Sequence, residues 1–273
     1  MIAPVREYRR ERSLLEPPRP TDVLHPSEIS QDGWCPRAAY FKLKSPPPPD
    51  YISPRMQNVF DYGHDVHEAI QADLADMGKL EGFWRCRTCG QKFYRQGRAV
   101  CRACNGTSCK YLELALSDPE LMISGHTDGL LWQDKAIMEV KTVGEGTVRY
   151  YAPQLVAAHT YKVDGKDIVD LNGLWDSIRR PFGSHLRQGT IYTYLCRQRK
   201  RVDKPDKIVF VYESKMNQDR KEFLVKYNQT LIEPVLAGAR AVANAMRGEG
   251  PIPGCRGGSQ PCVACLALEG AVL

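Results

Sequence analysis

Gly125 to Thr142 read GHTDGLLWQDKAIMEVKT, and the second half of this run has the two-residue period of a strand. Glu139 and Lys141 therefore point to one face, and Met138 and Val140 to the other, into a core. A turn centred between Gln133 and Asp134 would fold the first half back as a second strand and set Asp128 directly opposite Glu139. Their Cβ atoms would then lie about 5 Å apart. Facing carboxylates destabilise a bare sheet, and a hard divalent cation would relieve the repulsion. Mg²⁺ takes one or two protein carboxylates and leaves its other positions to water and phosphate. Such an ion polarises a phosphoryl oxygen and lowers the pKa of its bound water, while Lys141 could orient that water and steady developing charge. The plain alternative is an ordinary turn at Asp128 and a surface Glu139–Lys141 ion pair.

Upstream, Met56 to Leu80 carry a helical period, with Val59, Gly63, His67, Ile70, Leu74 and Met77 at steps of three and four. This helix should stop near Gly78. His67 lies on the stripe four residues after Gly63, which would let the helix approach the sheet. A lone histidine on such a face is more often a hydrogen-bonded core residue than a ligand. YLELALS and LMISGHTDGLLW read as strands, followed by AIMEVKTV, whereas residues 143–180 give no clear assignment. SHLRQGTIYTYLCRQRK reads as a helix with Gln188 and Tyr192 one turn apart, and KIVFVYESK as a strand. DRKEFLVKYNQTLIEPVLAGARAVANAMRGE reads as one long helix with Pro234 as a candidate break, and PIPGCRGGSQPCVACLALEG as loop. Prolines crowd 17–20, and Pro46 to Pro49 form a stiff spacer. The order predicts an α/β core with a mixed sheet and no internal repeat.

The chain's 273 residues allow one sizeable core, or one core plus a small satellite. With 42% hydrophobic and 26% charged residues, the composition is that of a folded soluble protein. A net charge of +6 weakly favours a polyanionic partner. No segment approaches the roughly 18 uninterrupted apolar residues of a membrane span. The first twenty residues lack an apolar signal core, so the expected compartment is a reducing cytoplasm.

Ten cysteines in such a compartment point to metal rather than disulfides. Cys86, Cys89, Cys101 and Cys104 form two CxxC knuckles that supply four thiolates for a structural zinc, with GQKFYRQGRAV between them suiting a short hairpin. Residues 84–110 differ in composition from both neighbours and read as an inserted zinc ribbon. Arg85, Arg87, Lys92, Arg95, Arg98, Arg102 and Lys110, with Trp84, Phe93 and Tyr94 among them, suit DNA gripping or partner docking; a solvated charged face is the alternative. Cys255, Cys262 and Cys265 lack a fourth local partner, for which Cys35 is the candidate. Cys109 and Cys196 are left as plain thiols.

The ordered motifs S-x7-C-P-R (Ser27 to Arg37), G-x3-H (Gly63 to His67), G-x-x-D (Gly125 to Asp128), E-x-K (Glu139 to Lys141) and P-x3-H-x2-Q-x3-Y (Pro181 to Tyr192) carry a likeness. From about Ser27 to Cys265 the chain resembles the RecB-like branch of the PD-(D/E)xK nucleases. It is similar in particular to that branch's iron–sulfur members, among them the CRISPR-associated exonuclease and the AddB nuclease domain. The resemblance implies a single domain over 1–273 with a restriction-endonuclease-like mixed central sheet flanked by helices. It implies Mg²⁺ or Mn²⁺ held by His67, Asp128, Glu139 and the Val140 carbonyl, with Lys141 as the catalytic lysine. Gln188 and Tyr192 would contact DNA phosphates or buttress the site. It also implies a [4Fe–4S] cluster on Cys35, Cys255, Cys262 and Cys265, stapling the two ends of the chain; a second zinc or unligated thiols are the alternatives. Two departures are visible: a long gap between Lys141 and Gln188, and His126-Thr127 where the naming proline would stand.

The expected activity is metal-dependent hydrolysis of DNA phosphodiesters, as an exonuclease in recombination, repair or CRISPR adaptation, in company with proteins of those processes. A non-catalytic DNA-binding scaffold and a flap or junction endonuclease are the other readings.

Overall fold

The computed structural model describes residues 7, 8, 11, 19–48, 52–199, 204–258 and 260–269; Pro17, Pro18 and Pro49 of the two proline runs, and Lys200 at the end of an expected helix, lie outside them. In chain order the elements begin with α1 (Pro26–Ile29), α2 (Pro36–Lys44) and α3 (Pro54–Asp76). Strands β1 (Glu81–Cys86), β2 (Lys92–Gln96), β3 (Cys109–Leu112), β4 (Leu114–Asp118), β5 (Ile123–Thr127), β6 (Gly129–Leu131) and β7 (Ala136–Val143) follow. Then come α4 (Glu145–Tyr151), α5 (Pro153–Ala158), β8 (Thr160–Val163), β9 (Lys166–Val169), α6 (Leu171–Ser177) and α7 (Gly183–Arg197). The last are β10 (Lys207–Ser214), β11 (Arg220–Lys226), α8 (Glu233–Arg247) and α9 (Val263–Glu269).

The architecture is mixed α/β, with several small sheets flanked by helices. Its centre is a four-stranded sheet in the order β11-β10-β7-β6, parallel between β10 and β7 and antiparallel elsewhere. The two faces of β7 feed different cores, as its alternation requires. Ile137 packs with Ile191 and Leu195 of α7 and with Ala239 and Val242 of α8. Met138 and Val140 pack with Val66 and Ile70 of α3, and with Trp84 and Tyr111 of the cysteine-bearing sheet. Burying each such aliphatic or aromatic side chain contributes about 1.5–3 kcal/mol. A third cluster joins Val143, Phe210 and Tyr212 to Leu174 and Trp175 of α6.

Helix α3 owes its limits to local chemistry. Ser53 caps it by accepting the Met56 N–H, and Pro54 occupies the first turn, where no amide partner is needed. At the other end Gly78 takes φ +70° while its N–H and that of Lys79 return to the Ala75 and Leu74 carbonyls. That is a Schellman stop, which only glycine enters without strain. The expected stripe is rotated, however. Val59 and Met77 are exposed, and the buried positions are Val66, Ile70 and Gln71. Tyr62, Leu74 and Ala75 are partly buried against the same cluster as Val66 and Ile70.

Several sequence expectations are corrected. The residues between the two CxxC knuckles do not form a hairpin of their own: β2 pairs back on β1, and β3 flanks β1 on its other side. The run expected as one long helix from Asp219 is instead strand β11 followed by α8. Arg220 to Lys226 alternate in burial, and β10 offers them an unpaired edge, so tertiary pairing overrides helix propensity. Pro234 does not break a helix but sits in the first turn of α8. The C-terminal segment is not all loop, since Val263–Glu269 is helical. Trp84 is 1% exposed and belongs to the core, not to a binding surface. Residues 143–180 fold as two short helices, the β8–β9 hairpin and α6. Among the described residues no helix is long and apolar enough to cross a membrane.

Candidate metal centre

β5 and β6 are one run of chain interrupted at Asp128. Before the break β5 pairs with β4, placing Leu114 opposite Thr127; after it β6 pairs with β7, placing Gly129 opposite Met138. Extending each ladder by one residue sets Asp128 opposite Glu113 on one side and opposite Glu139 on the other. At that edge β6 does not reach Val140, and the Asp128 side chain replaces the missing strand, its Oδ2 accepting the Val140 N–H at 2.7 Å. The N–H and C=O of one strand residue point to the same side, so the Val140 carbonyl faces this notch too.

Helix α3 closes the notch from above. His67 Nδ1 lies 3.3 Å from Asp128 Oδ1. One turn later, Gln71 Nε2 donates to the Asp128 carbonyl at 2.8 Å and to Glu113 Oε1 at 3.4 Å. At Gly63 an added Cβ would meet Thr142 Oγ1 at 3.8 Å, an ordinary contact, so the approach of helix to strand does not depend on that glycine. Donor atoms of His67, Glu113 and Asp128 all lie within 4.8 Å of one another. Glu139 stands beside this group rather than in it: its Oε2 accepts from Lys141 Nζ at 3.1 Å, while its Oε1 is buried with no hydrogen-bond partner.

The electrostatics follow from crowding charge into a dry place. Burial pushes the Glu139 carboxyl up to about 8 against the pull of the Lys141 ammonium, with the Asp128 charge adding to the rise. Burial opposes ionisation of Asp128 too, but the hydrogen bond and charge of His67, then Lys141 and the Val140 N–H, hold it below the ordinary carboxylate range. For His67 the loss of solvent is outweighed by Asp128, which raises the imidazole above its usual value. Glu113 is raised by desolvation and then by the Asp128 charge. An unpartnered buried carboxylate oxygen such as Glu139 Oε1 costs about 1–3 kcal/mol or more.

Helix α7 forms the floor. Tyr192 and Gln188 are buried and hydrogen-bonded to each other, and the Tyr192 phenol is raised by burial and by the nearby Glu139 charge. A Cβ at Gly125 would stand 2.9 Å from Pro26 Cδ and 3.1 Å from the Tyr192 ring, so here glycine is what lets α7 reach the strand. His185, one turn earlier, shares a 2.6 Å hydrogen bond with the Tyr212 hydroxyl, and burial followed by the Lys141 charge lowers it to about 3.

Both cysteine groups come together, as Cys86, Cys89, Cys101 and Cys104 and as Cys35, Cys255, Cys262 and Cys265, each with its sulfurs within 4.8 Å of one another. Cys109 and Cys196 belong to neither. Across the β2-β1-β3 sheet Arg85 is opposite Lys92 on one side and Lys110 on the other, a row of three cations on one face. Glu113 and Gln71 were not among the residues the sequence singled out, whereas His185 is the histidine of the P-x3-H-x2-Q-x3-Y motif. Glu113 had a signal: a β4–β5 turn at Pro119–Met122 counts back to Glu113 opposite Asp128, by the same arithmetic that pairs Asp128 with Glu139. Gln71 had only its i+4 spacing from His67.

No family model and no curated protein matches this sequence. Among solved structures, the chain is similar to SSO0001 at 11% identity and a TM-score of 0.42, over 87% of this chain and 82% of that one. It is also similar to an alkaline exonuclease (LHK-Exo) from Laribacter hongkongensis at 10% identity and a TM-score of 0.41, over 84% and 90%. At these values the likenesses are distant, and the functional reading rests on the chain's own residues.

Proposed function

We propose that this chain is a divalent-metal-dependent nuclease acting on DNA. The observation behind the reading is the position of Asp128 at a junction of two strand registers, with Glu113, Glu139 and His67 around it and Lys141 beside it. Two buried acids, Asp128 and Glu139, with the more exposed Glu113 next to them, form an acidic set that a sheet does not keep for stability. His67, Asp128, Glu139 and the Val140 carbonyl would hold Mg²⁺ or Mn²⁺, with Glu113 as a further oxygen donor. The set fits such an ion: it is oxygen-rich and includes a buried carboxylate oxygen with no other partner. When bound, the cation supplies a polarised phosphoryl oxygen and a water of lowered pKa.

The chain's own groups do the rest. Lys141, held by Glu139, presents its ammonium where charge would develop on a phosphate. Gln71 fixes the backbone of Asp128, and Gln188 with Tyr192 holds the floor beside Glu139. The row Lys92–Arg85–Lys110 offers phosphate contacts on the ribbon, whose four cysteines would hold a structural zinc. The motif order favours an exonuclease of recombination or repair, of the RecB-like branch.

The test is digestion of end-labelled linear, circular and flap DNAs with Mg²⁺ or Mn²⁺, beside the Glu139→Ala and Lys141→Ala variants. Linear DNA should be degraded from its ends, circular DNA spared, and both variants inactive. A wild-type protein as inactive as the variants would sink the proposal; cutting of circles would make it an endonuclease.

A further inference from the structure

Cys35, Cys255, Cys262 and Cys265 join parts of the chain that are otherwise far apart, since Cys35 and Cys265 are 230 residues from each other. Cys35 is the residue before α2, and Cys265 lies on α9; both are buried. Backbone amides converge on the sulfurs: Arg256 N–H on Cys35 Sγ at 3.4 Å, and Gly257 and Cys262 N–H on Cys255 Sγ at 3.3 and 3.1 Å. Amide donors aimed at sulfur favour the thiolate, the form that binds metal.

The sulfur separations discriminate between candidate occupants. Cys35 and Cys265 are 3.5 Å apart, Cys265 and Cys255 3.5 Å, and Cys35 and Cys255 3.9 Å, with Cys262 completing a set in which no pair exceeds 4.8 Å. One tetrahedral ion with bonds of about 2.3 Å holds its four sulfurs about 3.8 Å apart. A four-iron cubane binds each thiolate at a different corner of a cage, so its cysteine sulfurs stand about 6 Å apart. The ribbon set, at 3.5 Å for Cys86–Cys104 and 3.6 Å for Cys89–Cys101, has the same narrow spacing. The residues at the chain ends therefore do not fit the [4Fe–4S] cluster that the sequence resemblance implies.

We infer that this second cysteine set is a mononuclear zinc clasp. A zinc ion with four thiolates has no open position and no accessible redox step, so the clasp is structural. It ties α9 to the start of α2 at the place where Trp34 and Pro36 pack against Gly238 of α8. The inference does not depend on the nuclease reading, because it uses none of the residues near Asp128.

The experiment is elemental analysis, labile-sulfide assay and visible absorption of the full chain, expressed with both iron and zinc supplied and purified without oxygen. The expected result is about two zinc ions per chain, no labile sulfide and no visible band. Cys262→Ser should lower zinc to about one per chain, and Cys89→Ser should do the same independently. About four irons with labile sulfide and a single zinc would overturn the inference, as would iron without sulfide. So would one zinc per chain together with freely titratable thiols at Cys35, Cys255, Cys262 and Cys265. Should Cys262→Ser fail to fold, the wild-type stoichiometry decides alone.

Discussion

Replacing Glu139 by Gln keeps the shape of the side chain and removes its capacity for charge. In the metal-free protein this should cost little. The carboxyl is 1% exposed and pushed from 4.5 up to about 8, which corresponds to about 5 kcal/mol against its charged form. Burial thus favours the neutral carboxyl, so the amide replaces a group already inclined to be uncharged. Its oxygen can still accept from Lys141, and the expected change is under about 1 kcal/mol, or about 2–4 °C in Tm for a chain of this size. Metal reverses the comparison. A cation bound by the wild type at a hundred times its Kd adds about 2.7 kcal/mol, raising Tm by about 5–10 °C. Glu139→Gln should lose most of that rise. It should also lose at least about a thousandfold in DNA hydrolysis, the several kcal/mol that a displaced metal withdraws from the transition state. The assay is thermal melting in resin-stripped buffer with and without Mg²⁺ or Mn²⁺, because a strong chelator would also empty the cysteine sites. End-labelled DNA digestion runs in parallel. A variant that keeps the metal-induced rise and cuts DNA within tenfold of wild type would refute the assignment of Glu139 as a ligand.

Glu113→Gln should shift the metal concentration for half-maximal activity upward by about 10–100-fold while the rate at saturating metal stays within about tenfold; an unmoved midpoint would remove Glu113 from the site. His185, lowered to about 3 in the folded chain against 6.5 for a free imidazole, makes the unfolded state bind protons first. Its contribution to stability is therefore complete above about pH 6.5 and declines as pH falls from there towards 3. His185→Gln should flatten this acid limb in thermal melts, and an identical limb would show that the histidine is not its source. Neutralising Arg85, Lys92 and Lys110 together should weaken DNA binding and reduce the slope of log K against log salt by about 2–3. An unchanged slope would leave the row as a solvated face.

The decisive strand was legible in sequence because a sheet imposes a period of two, and counting outward from a turn fixes who faces whom. That count paired Asp128 with Glu139, and the observed register agrees. Cysteine spacing likewise marked the Cys86–Cys104 group and the Cys255–Cys265 trio, since knuckle geometry is local, whereas the distant Cys35 could be added only as a candidate fourth partner. What the chain alone could not reveal were facts created by contact between distant segments. RKEFLVK becomes a strand because β10 presents an edge to it, whatever its helical leaning. Glu113 matters only because the run holding Asp128 changes partners there, leaving one β7 amide to a side chain. The burial that lifts Glu139 and depresses His185 exists only once α3 and α7 close on the sheet, because desolvation is a property of the packed assembly rather than of any residue in it. Residue types and periodicity determined which groups could meet; packing decided how close, how dry and in what charge state they do.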